Sequence, residues 1–175
     1  MLPMKKRLAM LLCLLLCLPA LACAYTGSYN GSTLFTFSYD SARYRMDRDS
    51  YLSSNRGNQA WFFLLYDDTY SIDCGMFTDG TTQTMSNGDL SELTPYLMDR
   101  YARYGVSDQG SCTVNGQSYA LFLLSDVSTG GSYFAATVIN GCVVTFEIYS
   151  MSAGSVDASA LSTLKSVLSG CYPAN

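Results

Sequence analysis

The chain contains no histidine. That removes the commonest general base, the Ser-His-Asp and Cys-His nucleophile arrangements, and most zinc sites. Beyond residue 24 the cysteines never fall in the close pairs of a zinc site. No Asp-x-Asp-x-Asp-Gly calcium loop is present. No glycine-rich loop precedes a helix; Gly130-Gly131 joins two strands, the wrong context for holding phosphate. A second long apolar run is also missing, so no transmembrane helix is expected. Positive charge is scarce. Of ten basic residues three are Lys5, Lys6 and Arg7, which leaves seven against fourteen acidic residues in the rest, a formal charge of −7. Nucleic acid and anionic lipid surfaces need basic patches and are therefore disfavoured as partners.

What is present begins with an address. Lys5-Lys6-Arg7, an apolar run from Leu8 to Leu18, and Pro19-Ala20-Leu21-Ala22-Cys23-Ala24 follow the order of a secretory leader. Ala22-Cys23-Ala24 fits the small-x-small rule, which predicts a signal peptide over 1–24 and release before Tyr25. The alternative is lipidation of Cys23 as the first mature residue, as in bacterial lipoproteins. The expected location is extracytoplasmic, secreted or lipid-anchored at the cell membrane. Residues 25–32, rich in Gly, Ser, Tyr and Asn, read as a flexible arm. Residues 33–175 then form one α+β domain of a size that buries about 68–70% of its unfolded surface.

The domain is organised around four consecutive antiparallel strands between Gly110 and Tyr149. Asn115-Gly116 and Asn140-Gly141 are two-residue hairpin turns, since type I′ geometry needs positive φ at both central residues. Ser128-Thr129-Gly130-Gly131 forms a looser turn between them. The implied register sets Val114 opposite Gln117, Cys112 opposite Tyr119 and Ile139 opposite Cys142, and brings Tyr119 near Ile139. One face then collects Tyr119, Leu121, Ala135, Val144, Phe146 and Ile148; the other collects Ala120, Phe122, Phe134, Ala136, Val138 and Val143. A sheet wetted on one side alternates with polar residues, and these strands do not, so both faces should be covered by helices or further strands.

Before the meander, strands are expected over 34–39, 43–47, 61–66 and 70–77, the last two joined at Asp67-Asp68. A helix follows, with Asp89 as N-cap, Glu92 three residues on, and Gly105 as its stop. Pro95 either kinks this helix or begins a second one after Thr94. A last helix opens at Ser155 or Asp157 and ends at Gly170, with Val156, Ala160, Leu161, Leu164 and Leu168 on one side.

Four cysteines remain beyond the leader, an even count that favours disulfides in an exported chain. Cys112 and Cys142 sit three strands apart, about 14 Å at ~4.8 Å per strand, too far to bridge. Of the two connectivities that remain, Cys142–Cys171 with Cys74–Cys112 is expected over Cys74–Cys142 with Cys112–Cys171; the alternative to both is free, buried thiols. No cofactor or metal is expected. Asp67, Asp68, Asp73 and Asp79 could form an acid/base site, but Asp in turns commonly serves local backbone bonding. Arg43 and Arg45, with Arg48, form the one basic cluster, able to grip an acceptor in forked geometry or to pair with Asp40, Asp47 and Asp49. Tyr51 and Tyr70, with Tyr25 and Tyr29, lie in loops or beside turns and could build a binding surface.

The order of elements is similar to that of the PsbP/Mog1-like α/β/α sandwich, and the chain resembles its small exported bacterial members. Phe35-Thr36-Phe37-Ser38-Tyr39-Asp40, the helix from Leu90 to Gly105, the strands through Asn140-Gly141 and the closing helix from Leu161 to Ser169 carry the likeness. The resemblance implies an antiparallel sheet covered by helices and a non-enzymatic binding or assembly accessory role in the bacterial envelope or extracellular space. The partner would be a protein or envelope component. Two alternatives stand beside it: a carboxylate-dependent hydrolase and a purely structural, self-associating domain.

Overall fold

The computed structural model describes residues 22–48, 57–125, 130–152 and 154–174. Residues 1–21 of the expected leader, Tyr51 and most of the loose turn before Gly130 lie outside them. Ten strands and two α-helices follow in the order β1 (Ala22–Tyr29), β2 (Ser32–Asp40), β3 (Arg45–Asp47), β4 (Gln59–Tyr66), β5 (Tyr70–Phe77), α1 (Leu90–Arg100), β6 (Val106–Val114), β7 (Gln117–Leu124), β8 (Ser132–Ile139), β9 (Cys142–Ser150), α2 (Ala158–Leu168) and β10 (Cys171–Pro173).

Seven strands form one antiparallel sheet in the order β3-β4-β5-β9-β8-β7-β6, and β1-β2-β10 form a second, smaller sheet. The meander is as its turns dictate. Asn115 and Asn140 take φ of 51°, followed by positive φ at Gly116 and Gly141, and Val114 faces Gln117, Cys112 faces Tyr119 and Ile139 faces Cys142. Across the looser turn the register differs by two residues: Ala120 pairs with Ala136, which sets Tyr119 against Thr137 rather than Ile139. A shift of two keeps every side chain on its face, because the pleat has period two.

Each face of the large sheet has its own cover. Tyr119, Leu121, Ala135, Val144, Phe146 and Ile148 pack with Phe35 and Phe37 of β2 and with Ala160, Leu164 and Leu168 of α2. The opposite side, with Phe122, Phe134, Ala136 and Val143, packs against Leu93 and Leu97 of α1. Helices are thus only part of the roof, and a second sheet shares one side. Asp89 caps α1 by accepting from Ser91 N at 2.8 Å. Pro95 lies within the helix without ending it. After Arg100 a 3-10 turn leads to Gly105, which adopts φ 63° and closes the segment where the sequence predicts.

Two expectations are corrected. The flexible arm over 25–32 is β1, paired along β2 from Ala22–Asp40 to Tyr29–Ser32. The signal was a third Asn-Gly turn: Asn30 has φ 49° and Gly31 φ 80°, the same hairpin geometry as the other two. A Cβ at Gly27 would lie 2.4 Å from the Phe35 ring, so glycine there lets the ring cross the strand.

The disulfide pairs are also not formed. The five described cysteines, Cys23, Cys74, Cys112, Cys142 and Cys171, are free thiols. Cys74 is on β5 and Cys112 on β6, four strands away, or about 19 Å at ~4.8 Å per strand. Cys171 pairs with Phe37 in the small sheet, and Phe37 lies 4.8 Å from Phe63 and 5.9 Å from Phe146. Helix α2 therefore returns Cys171 to the level of Phe146, four residues along β9 from Cys142. That is roughly 13 Å at ~3.3 Å per residue, beyond the ~7 Å a bridge tolerates.

Candidate functional site

Where the small sheet, α2 and the large sheet meet, a cleft of about 460 Å³ opens to solvent. Phe37 and Leu65 come from β2 and β4, Val167 from the last turn of α2, and Tyr39 and Asp40 from the end of β2; Ser166, Ser169 and Gly170 complete the helix side. The helix end can come this close because Gly170 has no side chain. A Cβ there would stand 1.9 Å from the Ser38 carbonyl oxygen, and Ser38 N donates to Gly170 O at 2.9 Å.

The turn after β2 forms the other wall. Tyr44 N and Arg43 N both donate to Asp40 O, and Asp40 Oδ1 accepts from Ala42 N at 2.9 Å. This tight turn drives Tyr44 inward. The residue is only 7% exposed, and its buried hydroxyl has no hydrogen-bond partner among the described residues. Burial raises the Tyr44 pKa; the Arg43 charge opposes this, while Asp67 and Asp40 add to it. An unsatisfied buried hydroxyl costs about 1–3 kcal/mol.

Arg43 covers Tyr44, its guanidinium carbon 4.7 Å from the ring centroid. Among the described residues only Nε is engaged, 3.4 Å from Asp67 Oδ2. Asp67 itself is held by its turn, Oδ1 accepting from Thr69 N and Tyr70 N at 2.8 Å each. Arg43 and Tyr44 are shared with an adjoining hollow of about 410 Å³, which adds Arg45, Tyr66 and Asp68.

Of the sequence-predicted binding residues, Arg43 and Arg45 are thus brought together on this rim. Tyr70 sits at the neighbouring turn but reaches away, its hydroxyl 3.5 Å from Asp157 at the start of α2. Tyr51 lies outside the described residues. Tyr25 packs edge-on against Phe63 at 5.1 Å and serves the core. Arg48 lies over the Tyr25 ring at 5.2 Å. Sequence reasoning missed Tyr44, Phe37, Leu65 and Val167. The available signal was Tyr44 itself, one aromatic between two arginines on an alternating segment.

The carboxylates divide in two. Asp67 and Asp79 are local staples. Asp79 Oδ1 accepts from Thr81 N and Thr82 N at 3.0 and 2.9 Å, while Oδ2 accepts from Tyr96 at 2.5 Å and lies 3.7 Å from Arg100. Burial pushes the Asp79 pKa up, but those hydrogen bonds outweigh it and the net shift is down. Burial and the bond to Asp79 push the Tyr96 pKa up to about 12. Asp73 is different, being the cross-strand partner of Glu147. Glu147 accepts from Ser132 Oγ at 2.5 Å, and burial raises its pKa against the hydrogen bonds from Ser132 and Tyr149. It borders a small hollow of about 140 Å³ with Trp61, Arg100 and Tyr101.

Among the described residues no helix is long and apolar enough to cross a membrane. No protein-family model matches the chain, and no curated protein does. Among solved structures, cyanobacterial PsbP (CyanoP) from Synechocystis is similar, with 12% identity and a TM-score of 0.50 over 89% of this chain and 95% of that one. The chain therefore has a PsbP-like fold, built mostly of antiparallel β-sheet with two α-helices among the described residues.

Proposed function

We propose that this PsbP-like domain, read in full as an α/β/α sandwich of the PsbP/Mog1 type, is an exported, non-catalytic module of the bacterial envelope or extracellular space. It binds its partner, a protein or envelope component, in the cleft around Arg43 and Tyr44. The observation that carries this reading is a buried, unpartnered hydroxyl beside a cleft of ligand size. Ligand pockets typically span about 300–1,000 Å³, with apolar walls and a few placed polar groups. Tyr39 and Val167 supply apolar wall above the buried Phe37 and Leu65, and Asp40, Arg43 and the helix-end serines supply the polar groups. The test is retention of envelope components by immobilised wild-type domain and by Ser166→Trp, which fills the cleft from an exposed helix position. Retention by the wild type that Ser166→Trp abolishes is expected; equal retention by both puts the contact elsewhere.

A carboxylate-dependent hydrolase has one observation in its favour, the opposition of Asp73 and Glu147. Directly opposed residues hold their Cβ atoms about 4.5–5.5 Å apart, within the range from which paired carboxyls of retaining glycosidases work. The adjacent hollow of about 140 Å³ is small for a sugar. Hydrolysis of a glycoside panel that Glu147→Gln abolishes would establish this second reading.

A further inference from the structure

We infer that the hollow at the end of α1 takes a small zwitterion, an α-amino acid of alanine size, with its ammonium group on Glu147 and its carboxylate on Arg100. The hollow lies on the side of the large sheet that α1 covers, whereas the cleft lies on the side shared by β2 and α2. The inference is therefore independent of the cleft.

Three local features build the hollow. The pairing of β4 with β5 slips between Trp61 and Phe63. The extra residue sends both Phe62 and Phe63 into the core, 5.3 Å from Phe35 and 4.8 Å from Phe37 respectively, and leaves Trp61 on the opposite face, as bulges re-aim side chains. Gly75, the partner of Trp61, lies mid-strand in β5, where glycine weakens a strand and marks a close approach. A Cβ there would stand 3.2 Å from Ala60 O, 3.5 Å from Trp61 Cδ1 and 3.8 Å from Thr145 Oγ1, so its absence keeps the floor open. The end of α1 supplies the third feature. The Arg100 guanidinium carbon lies 4.2 Å from the centroid of the Phe77 ring on β5, and Tyr101 packs on Phe134 of β8 at 5.1 Å. Together they straddle β9, the strand between, which carries Thr145 and Glu147.

The side chains offered to a ligand all reach solvent: Trp61, Tyr101, Thr145 and Glu147 are part-exposed and Arg100 is exposed. The lining carries one carboxylate and one guanidinium. Glu147 has hydroxyl partners, Ser132 at 2.5 Å and Tyr149, and no cation pairs with it among the described residues. Its oxygens can accept further bonds. Arg100 presents a fork of N–H donors; Nη1 serves Tyr96 at 3.1 Å and Asp79 at 3.7 Å, which leaves donors for a second carboxylate. A lone cation meets Arg100 and a lone anion meets Glu147. A zwitterion escapes both repulsions and gains both charge-assisted contacts. The volume of about 140 Å³ equals about five waters at ~30 Å³ each, room for alanine with its methyl group against Trp61.

Calorimetric titration of the protein with alanine, propionate and ethylammonium tests this, since the last two each lack one charged group. Alanine should bind, and each of the others at least about tenfold more weakly, a difference of ~1.4 kcal/mol. Glu147→Gln should weaken alanine about tenfold and remove its advantage over propionate. Arg100→Gln, at an exposed helix end, should weaken alanine similarly and remove its advantage over ethylammonium. Ser166→Trp, on the other side of the sheet, should bind alanine as the wild type does. No alanine binding at millimolar concentration, equal binding of the three compounds, or an unchanged advantage in either charge variant overturns the inference and leaves the cleft reading untouched. Alanine binding lost in Ser166→Trp places the amino acid in the cleft and overturns it as well.

Discussion

Asn115 reaches across 56 residues to hold Cys171, its Nδ2 donating to the Cys171 carbonyl at 2.7 Å and also to Ser169 O at 2.9 Å. The tip of the β6–β7 hairpin is thereby tied to the segment where α2 ends and β10 begins. Asn115 has φ 51°, so one residue serves both the turn and the tie. Asn115→Asp keeps tolerance of that φ but replaces two donor contacts with a carboxylate facing two carbonyls. The expected loss is about 1–3 kcal/mol, read as a lower urea midpoint with unchanged slope. No change in midpoint would mean that the tie contributes nothing.

Gly170 is required by close approach rather than by its backbone angles. A methyl group at this position would stand 1.9 Å from the Ser38 oxygen, so Gly170→Ala must push the end of α2 away from β2. A loss of about 2–4 kcal/mol is expected, in the range of overpacked core sites, together with faster exchange of the Ser38 amide, which donates to Gly170 O. Wild-type stability and an unchanged exchange rate would contradict a seam closed by this glycine.

Glu147 sets a pH dependence of definite sign. Its pKa is raised in the folded state by burial, so its contribution is fully present below the unfolded value of about 4.3 and lost as pH rises through the folded one. Glu147→Gln still accepts from Ser132 and carries no charge. Its stability relative to the wild type should be lowest near pH 4 and rise towards pH 7. Asp79 works in the opposite direction, its lowered pKa giving stability that is lost as pH falls through the folded value. A Glu147→Gln protein whose relative stability falls between pH 4 and 7 would be inconsistent with a buried, up-shifted carboxyl.

The cysteines should behave as free thiols. Cys74 and Cys171 are fully buried, and burial raises both pKa values, that of Cys171 to about 11. Cys112 is half-buried. Alkylation of the folded protein at neutral pH should therefore label Cys112 ahead of Cys74 and Cys171, and denaturation should expose them all. An unreduced mass short of two hydrogens would reveal a bridge that this geometry does not permit.

The meander was legible because its information is local. Two Asn-Gly turns fix the registers of their own hairpins and two unbroken apolar faces fix burial, while the looser turn between them leaves the β7–β8 register two residues from expectation. Helix ends at Asp89 and Gly105 were legible for the same reason. The first strand was not, since its composition of Gly, Ser and Tyr resembles an arm until Asn30-Gly31 is read as a hairpin. Nor were the thiol positions, which depend on where α2 delivers Cys171 in a second sheet that local patterns do not announce. The rim arginines could be picked out as a basic cluster. Tyr44 could be suspected from its place between two arginines, but only the tertiary fold turns it inward beneath Arg43 and brings Val167 and Leu65 to it.

The most direct test of the cleft is a map of backbone amide shifts in the labelled domain as solubilised envelope components are added. Shifts concentrated at Phe37 to Tyr44, Leu65 and Ser166 to Gly170, and abolished by Ser166→Trp, are the predicted result. Shifts centred on Trp61, Asp73 and Glu147 instead, or shifts that persist in Ser166→Trp, would contradict the assignment of this cleft as the site.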